Sequence, residues 1–79
     1  MAEHRYTVYF EPQPEGGYQV VFPAIPEIVT WGSSLDDARA MAADALRCHL
    51  QGLARDGVAF PIEDAPLDVP VKEELAVAL

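Results

Sequence analysis

The sequence predicts an α+β fold with the element order β-β-β-α-β, in which one helix packs on one face of an antiparallel sheet. Two aromatic and β-branched segments near the N-terminus flank a turn rich in proline and glycine. An apolar stripe at helical spacing follows Ser34, and an alternating apolar segment returns near the C-terminus. With 79 residues, the chain has the length of one small domain.

Residues 6–10 and 18–22 predict the first two strands, because valine and aromatic side chains dominate both. They are joined through residues 12–17, where two prolines stop the strand and two glycines permit positive φ. Alternation predicts that Tyr6, Val8 and Phe10 share one face. It places Thr7, Tyr9 and Glu11 on the other. Residues 27–31 predict a short third strand that ends at Gly32.

The helix signal is the most regular pattern in the chain. Ser34 is a favourable N-cap, and Asp37 stands at capping-box spacing in place of the usual glutamate. Gly57 predicts the C-terminal end. The predicted buried stripe recurs at three- and four-residue steps, and it comprises Leu35, Ala38, Ala42, Leu46, Leu50 and Leu53.

The pattern after Pro61 is weaker. Residues 62–66 predict a loop, and residues 67–71 predict a strand that Pro70 confines to an edge or an irregular pairing. Residues 73–79 are compatible with strand or helix. We favour an extended segment that completes the sheet or forms a subunit contact.

Charge and composition restrict the function classes. Five basic and thirteen acidic residues give a net charge of −8, which repels phosphate backbones and attracts a basic partner. The alternative is that the charge only confers solubility. The sequence contains no apolar segment of membrane-spanning length, no signal core and a single cysteine, Cys48. We therefore expect a cytoplasmic protein.

Catalytic and metal sites find little support. A two-metal nuclease would need converging carboxylates, and the only candidates are Glu11, Asp36, Asp37 and Asp44. The adjacent Asp36 and Asp37 are better explained as first-turn helix residues. His4 and His49 lack metal-ligand spacing, and Cys48 and His49 point in different directions on a helix, so we expect Cys48 to be half-buried and structural. We predict no enzyme, no cofactor and no metal.

The ordered segments resemble the HicB-like antitoxin family. The resemblance covers residues 6–61 and is carried by their combination rather than by any one of them. It begins with Tyr6-Thr7-Val8, Glu15-Gly16-Gly17-Tyr18 and Phe22-Pro23-Ala24-Ile25-Pro26, and it continues through Trp31-Gly32, Leu35, Asp37-Ala38, Ala45-Leu46, Leu50, Asp56-Gly57 and Pro61. The chain departs from the family pattern at Glu27-Ile28 and at Trp31, a large aromatic where a smaller or polar residue is usual.

This resemblance implies a partial RNase H-like fold and a non-catalytic antitoxin that binds a small basic RNA-cleaving toxin of the HicA type. It also implies a homodimer or higher oligomer. Many members carry a following DNA-binding domain, whereas residues 1–79 here are expected to form a single HicB-like domain without one. We therefore expect no direct nucleic-acid binding and no membrane association.

The predicted partner-binding residues are Tyr9, Glu11 and Trp31. Aromatic anchors beside carboxylates suit a basic protein surface. The competing interpretation is that Tyr9 and Trp31 are ordinary sheet packing. Two other functions stay open from the sequence alone: a stand-alone oligomeric scaffold without a toxin, and a degenerate RNase H-like nuclease.

Overall fold

A computed structural model describes residues 3–63 and 72–79. Its elements are β1 (Glu3–Pro12), β2 (Tyr18–Val21), β3 (Thr30–Gly32), α1 (Leu35–Arg55) and β4 (Lys72–Ala78). The strands form one sheet in the order β3-β2-β1-β4, and every neighbouring pair is antiparallel. The predicted α+β class and element order are confirmed, with α1 packed against the sheet.

The face of the sheet beneath α1 is apolar. Tyr6, Val8 and Phe10 of β1 are all buried, as the alternation predicted. They pack with Val20, Phe22, Ile25 and Val77, and with the buried stripe of α1. Burial of these side chains is the main favourable contribution to folding.

The helix has the predicted stripe and defined ends. Ala38, Ala42, Leu46 and Leu50 are fully buried. The hydroxyl of Ser34 accepts from the Asp37 N–H at 3.1 Å. The Asp37 carboxylate reaches Ser33, one residue before the N-cap, instead of closing a capping box on Ser34. At the other end, Gly57 adopts φ +69°, and the N–H groups of Gly57 and Val58 donate to Ala54 and Leu53 in a Schellman pattern.

The third strand differs from its predicted position. It occupies only Thr30–Gly32, because two consecutive turns take up the preceding residues. The Ile25 N–H donates to the Phe22 carbonyl, and the Ile28 N–H donates to the Ile25 carbonyl. The prediction that residues 27–29 belong to the strand was therefore wrong, because the second turn runs to Ile28 and pairing with β2 begins only at Thr30.

Gly32 lets α1 approach β3. A Cβ on Gly32 would overlap the backbone of Ala38, in the first turn of the helix. The absent side chain thus sets the distance between helix and sheet at this point.

The C-terminal segment completes the sheet. Residues 73–79 were ambiguous in the sequence, and the preferred extended interpretation is confirmed, because β4 pairs antiparallel with β1. The strand predicted for residues 67–71 lies outside the described residues. Within the described part, no helix has the length and apolar character needed to cross a membrane.

Candidate partner-binding face

The surface of the sheet opposite α1 is called the open face here. Strand alternation and the pairing register assign side chains to it. Its members on the four strands are Glu3, Arg5, Thr7, Tyr9, Glu11, Gln19, Val21, Trp31, Glu74, Ala76 and Ala78. Most are polar or charged, in contrast with the apolar residues under the helix.

The three predicted partner-binding residues lie together on the open face. Glu11 of β1 pairs with Gln19 of β2, and Gln19 pairs with Trp31 of β3. These residues form one row across three strands, so Glu11 and Trp31 are about 10 Å apart at the backbone. Tyr9 is the next open-face residue along β1 from Glu11. The structure thus places an exposed carboxylate and two aromatic side chains on one surface.

Trp31 is held in place by the turn between β1 and β2. Its indole ring lies against Gly17, where a Cβ would overlap the ring. Gly17 also has φ +78°, a conformation that favours glycine. The Trp31 side chain nevertheless remains 49% exposed. It packs on the turn on one side and presents an aromatic surface to the solvent on the other.

Charges on the open face are unevenly compensated. Arg5 forms ion pairs with Glu3 and with Glu74, the latter at 3.2 Å. Among the side chains that the structure describes, none with a positive charge lies within 4 Å of the Glu11 carboxylate. The described side chains thus neutralise the charges of Glu3 and Glu74 but not that of Glu11.

A contact that the sequence did not predict buries one part of the open face. The carboxylate of Glu63 accepts from the Thr7 N–H at 2.7 Å and from the Thr7 hydroxyl at 2.8 Å. Thr7 is only 7% exposed as a result. Nearby, the Tyr6 hydroxyl donates to the Pro61 carbonyl at 2.8 Å. Burial, and secondarily the charge of Glu63, raise the pKa of Tyr6. No local pattern marks Glu63, which contacts a residue 56 positions away.

The nuclease candidates are not brought together. Asp36 and Asp37 lie in the first turn of α1, Asp44 is exposed further along it, and Glu11 lies on the open face. Within residues 3–63 and 72–79, no group of three or more histidine, cysteine or acidic side chains is arranged to hold a metal ion.

Cys48 and His49 also differ in their surroundings. Cys48 is exposed, so the expectation of a half-buried structural cysteine was wrong. Its position on α1 lies outside the apolar stripe. His49 is half-buried, with its Nε2 atom 3.9 Å from a Glu27 carboxylate oxygen. The two side chains do not form a thiol–base pair.

Comparison with known proteins yields one family. A family model described as HicB_like antitoxin of bacterial toxin-antitoxin system matches residues 6–75. Antitoxin HicB 1 of Photorhabdus laumondii is 40% identical over 76 residues, covering 86% of this chain and 49% of that protein. Antitoxin HicB of Escherichia coli strain K12 is 40% identical over 58 residues, covering 73% and 42%. The chain spans at most about half the length of these curated relatives.

Proposed function

The chain belongs to the HicB-like antitoxin family of bacterial toxin–antitoxin systems, and from this premise we propose that it neutralises a small, basic, RNA-cleaving toxin of the HicA type by direct binding. The open face supplies the contact. Neutralisation works by steric cover and charge complementarity, without covalent chemistry. The chain is then a binding protein and not an enzyme.

One observation carries the proposal: the cross-strand row of Glu11, Gln19 and Trp31 on the side of the sheet that α1 leaves uncovered. Tryptophan, with its large rigid side chain, is among the residues most often found as energetic anchors in protein interfaces. Glu11, at the other end of the same row, offers a carboxylate with no cationic side chain within 4 Å among those that the structure describes. A basic protein surface laid across the row would place one cationic side chain on the indole and another at the carboxylate.

The net charge of −8 supports the same kind of partner. An acidic surface accelerates encounter with a cationic protein. It also repels RNA, the substrate that the toxin would otherwise bind. We expect the association rate to fall as salt concentration rises, because exposed charges are screened. Such an encounter would occur in the cytoplasm, the compartment expected from the sequence.

The test is a binding titration against a catalytically inactive HicA-type toxin. We expect tight binding by the unmodified chain and a loss of at least about tenfold for Trp31→Ala, as is usual for an interface anchor. Glu11→Lys should weaken binding further, since it places a cation where the toxin's cations dock.

Asp44→Lys is the matched control. It makes the same charge change at an exposed position on α1, so it alters net charge equally without touching the open face. Equal loss of binding by Glu11→Lys and Asp44→Lys would show that only net charge matters. Absence of binding by the folded, unmodified chain would overturn the proposal.

A further inference from the structure

A second row of side chains crosses the open face beside the row described above. Tyr9 of β1 pairs with Val21 of β2. The register of β2 with β3 pairs Val20 with Thr30, and its continuation by one residue sets Val21 opposite Val29. Tyr9, Val21 and Val29 are called the apolar row here. Residues two positions apart on a strand are separated by about 7 Å, so the two rows adjoin along their length.

Val29 lies at the exposed end of the apolar row. Its side chain is 79% exposed, whereas Ile28 before it is buried and Trp31 two positions later is exposed again. This alternation places Val29 on the same side of the sheet as Trp31. Val29 precedes β3 and takes no part in the observed pairing with β2. Its side chain therefore contributes little to the core.

Val29 and Trp31 form a joint apolar surface. A single exposed valine is ordinary in a folded protein, whereas adjoining exposed apolar side chains mark a contact surface. The other large hydrophobic side chains that are exposed in the described part of the chain are Met41, Val58 and Ile62, on α1 or on the segment after it. The half-buried remainder of the apolar row extends the surface of Val29 across the sheet.

We propose that the apolar row is a second part of the toxin contact and that Val29 is its anchor. This inference rests on the proposed function and adds the chemistry of the partner surface. The occupant of the row is an apolar side chain of the basic toxin, next to the cationic side chains that approach Trp31 and Glu11. Charge complementarity selects this occupant, because the row adjoins the uncompensated carboxylate of Glu11 in a chain of net charge −8.

The two rows contribute to binding in different ways. Charges across an interface mainly raise the association rate, and salt screens them. Burial of an apolar side chain is not screened by salt, and it mainly slows dissociation. Valine is β-branched and loses little rotamer freedom when it is covered. At high salt, the stability of the complex should therefore depend more on Val29 than on Glu11.

The test is a binding titration of Val29→Thr against an inactive HicA-type toxin, at about 0.05 M and about 0.5 M NaCl, a range over which exposed charges become screened. Threonine keeps the branched shape but adds a hydroxyl that must leave water, so the dissociation constant should rise about tenfold at both salt concentrations. Val58→Thr is the matched control, because it makes the same change at an exposed position after α1. Its dissociation constant should equal that of the unmodified chain.

Methyl NMR of the unmodified chain keeps the test decisive if Val29→Thr fails to fold. A soluble paramagnetic probe should relax the Val29 methyl groups strongly in the free chain. Bound toxin should protect them and leave the Val58 methyl groups accessible. Protection of the Val29 methyl groups before toxin is added would show that another segment or a second copy covers the row, and this result would overturn the proposal.

The outcomes separate the apolar row from the proposed function itself. If the folded, unmodified chain does not bind the toxin, both are wrong. If Trp31→Ala weakens binding while Val29→Thr binds like the unmodified chain at both salt concentrations, the apolar row takes no part and the proposed function stands. Equal weakening by Val29→Thr and Val58→Thr would also contradict a specific role for Val29.

Discussion

The two faces of the sheet differ in what their side chains are used for. Under α1, Val8, Val20 and Phe22 are almost completely buried. This face contributes to stability through apolar packing. On the open face, Glu11 and Trp31 are exposed, and their side chains form no hydrogen bond with a described residue. The same strands thus carry two sets of residues that alternate along the chain.

This difference separates stability from binding. A change under the helix should lower the free energy of unfolding, while a change on the exposed part of the open face should alter partner binding and leave folding intact. The contact between Thr7 and Glu63 is the exception, since it makes part of the open face structural.

Leu46→Ala tests the helix-covered face. Leu46 is fully buried between α1 and the sheet. Its truncation removes apolar contacts and leaves a cavity, so the free energy of unfolding should fall by about 2–5 kcal/mol. Urea denaturation followed by circular dichroism measures this. Met41→Ala, at an exposed position of the same helix, should cost much less; equal losses would contradict the assignment of the two sides.

Gly32→Ala tests the close approach of α1 to β3. The added Cβ would overlap the Ala38 backbone, so the start of the helix must shift. Overpacking of this kind costs about 1–3 kcal/mol. Thermal unfolding provides the measurement, and Gly16→Ala gives the comparison, since a Cβ there meets no atom within 4 Å. Gly16 has φ +104°, so the stability lost in Gly16→Ala reports backbone strain alone.

Glu63→Ala tests the structural exception on the open face. The substitution leaves the buried Thr7 N–H and hydroxyl without their acceptor. We expect a loss of about 1–2 kcal/mol, typical of an unsatisfied buried polar group. Glu15→Ala, in the exposed turn, is the control. A negligible effect of Glu63→Ala on chemical denaturation would show that this contact does not stabilise the fold.

Tyr6 makes the free energy of unfolding depend on pH, with a smaller effect than the substitutions above. Burial and then the Glu63 charge raise the pKa of its hydroxyl above the usual value near 10. A raised pKa means that the unfolded chain loses this proton first as pH rises. The associated stability is present below pH 10 and is lost as pH climbs through the raised pKa. Tyr6→Phe should flatten this alkaline decline; an unchanged slope in denaturation at pH 9–11 would contradict it.

The sequence predicted what depends on local periodicity. The stripe from Leu35 to Leu53, the cap at Ser34 and the turn at residues 12–17 all follow from side chains close together in sequence. The two faces of β1 follow in the same way. These patterns also placed Tyr9 and Glu11 on one face. That Trp31 shares this face follows only from the pairing of β3 with β2, and the role of all three residues in binding stays a prediction.

What the sequence did not predict depends on contacts between distant residues. Glu63 meets Thr7 only because the segment after α1 returns to β1. The bond between Arg39 and Glu73 requires α1 to lie over β4. The start of β3 was also missed, because residues 27–29 have strand-like side chains while the preceding turns still determine the backbone.

Trp31 can itself report contact with a toxin, since it is the only tryptophan in the chain. The chain is labelled with 5-fluorotryptophan and its ¹⁹F NMR signal is followed during titration with an inactive HicA-type toxin. If the open face binds the toxin, the resonance shifts with saturation and its solvent isotope effect falls as the indole leaves water. A complex that forms with the Trp31 resonance and its solvent exposure unchanged would contradict the account.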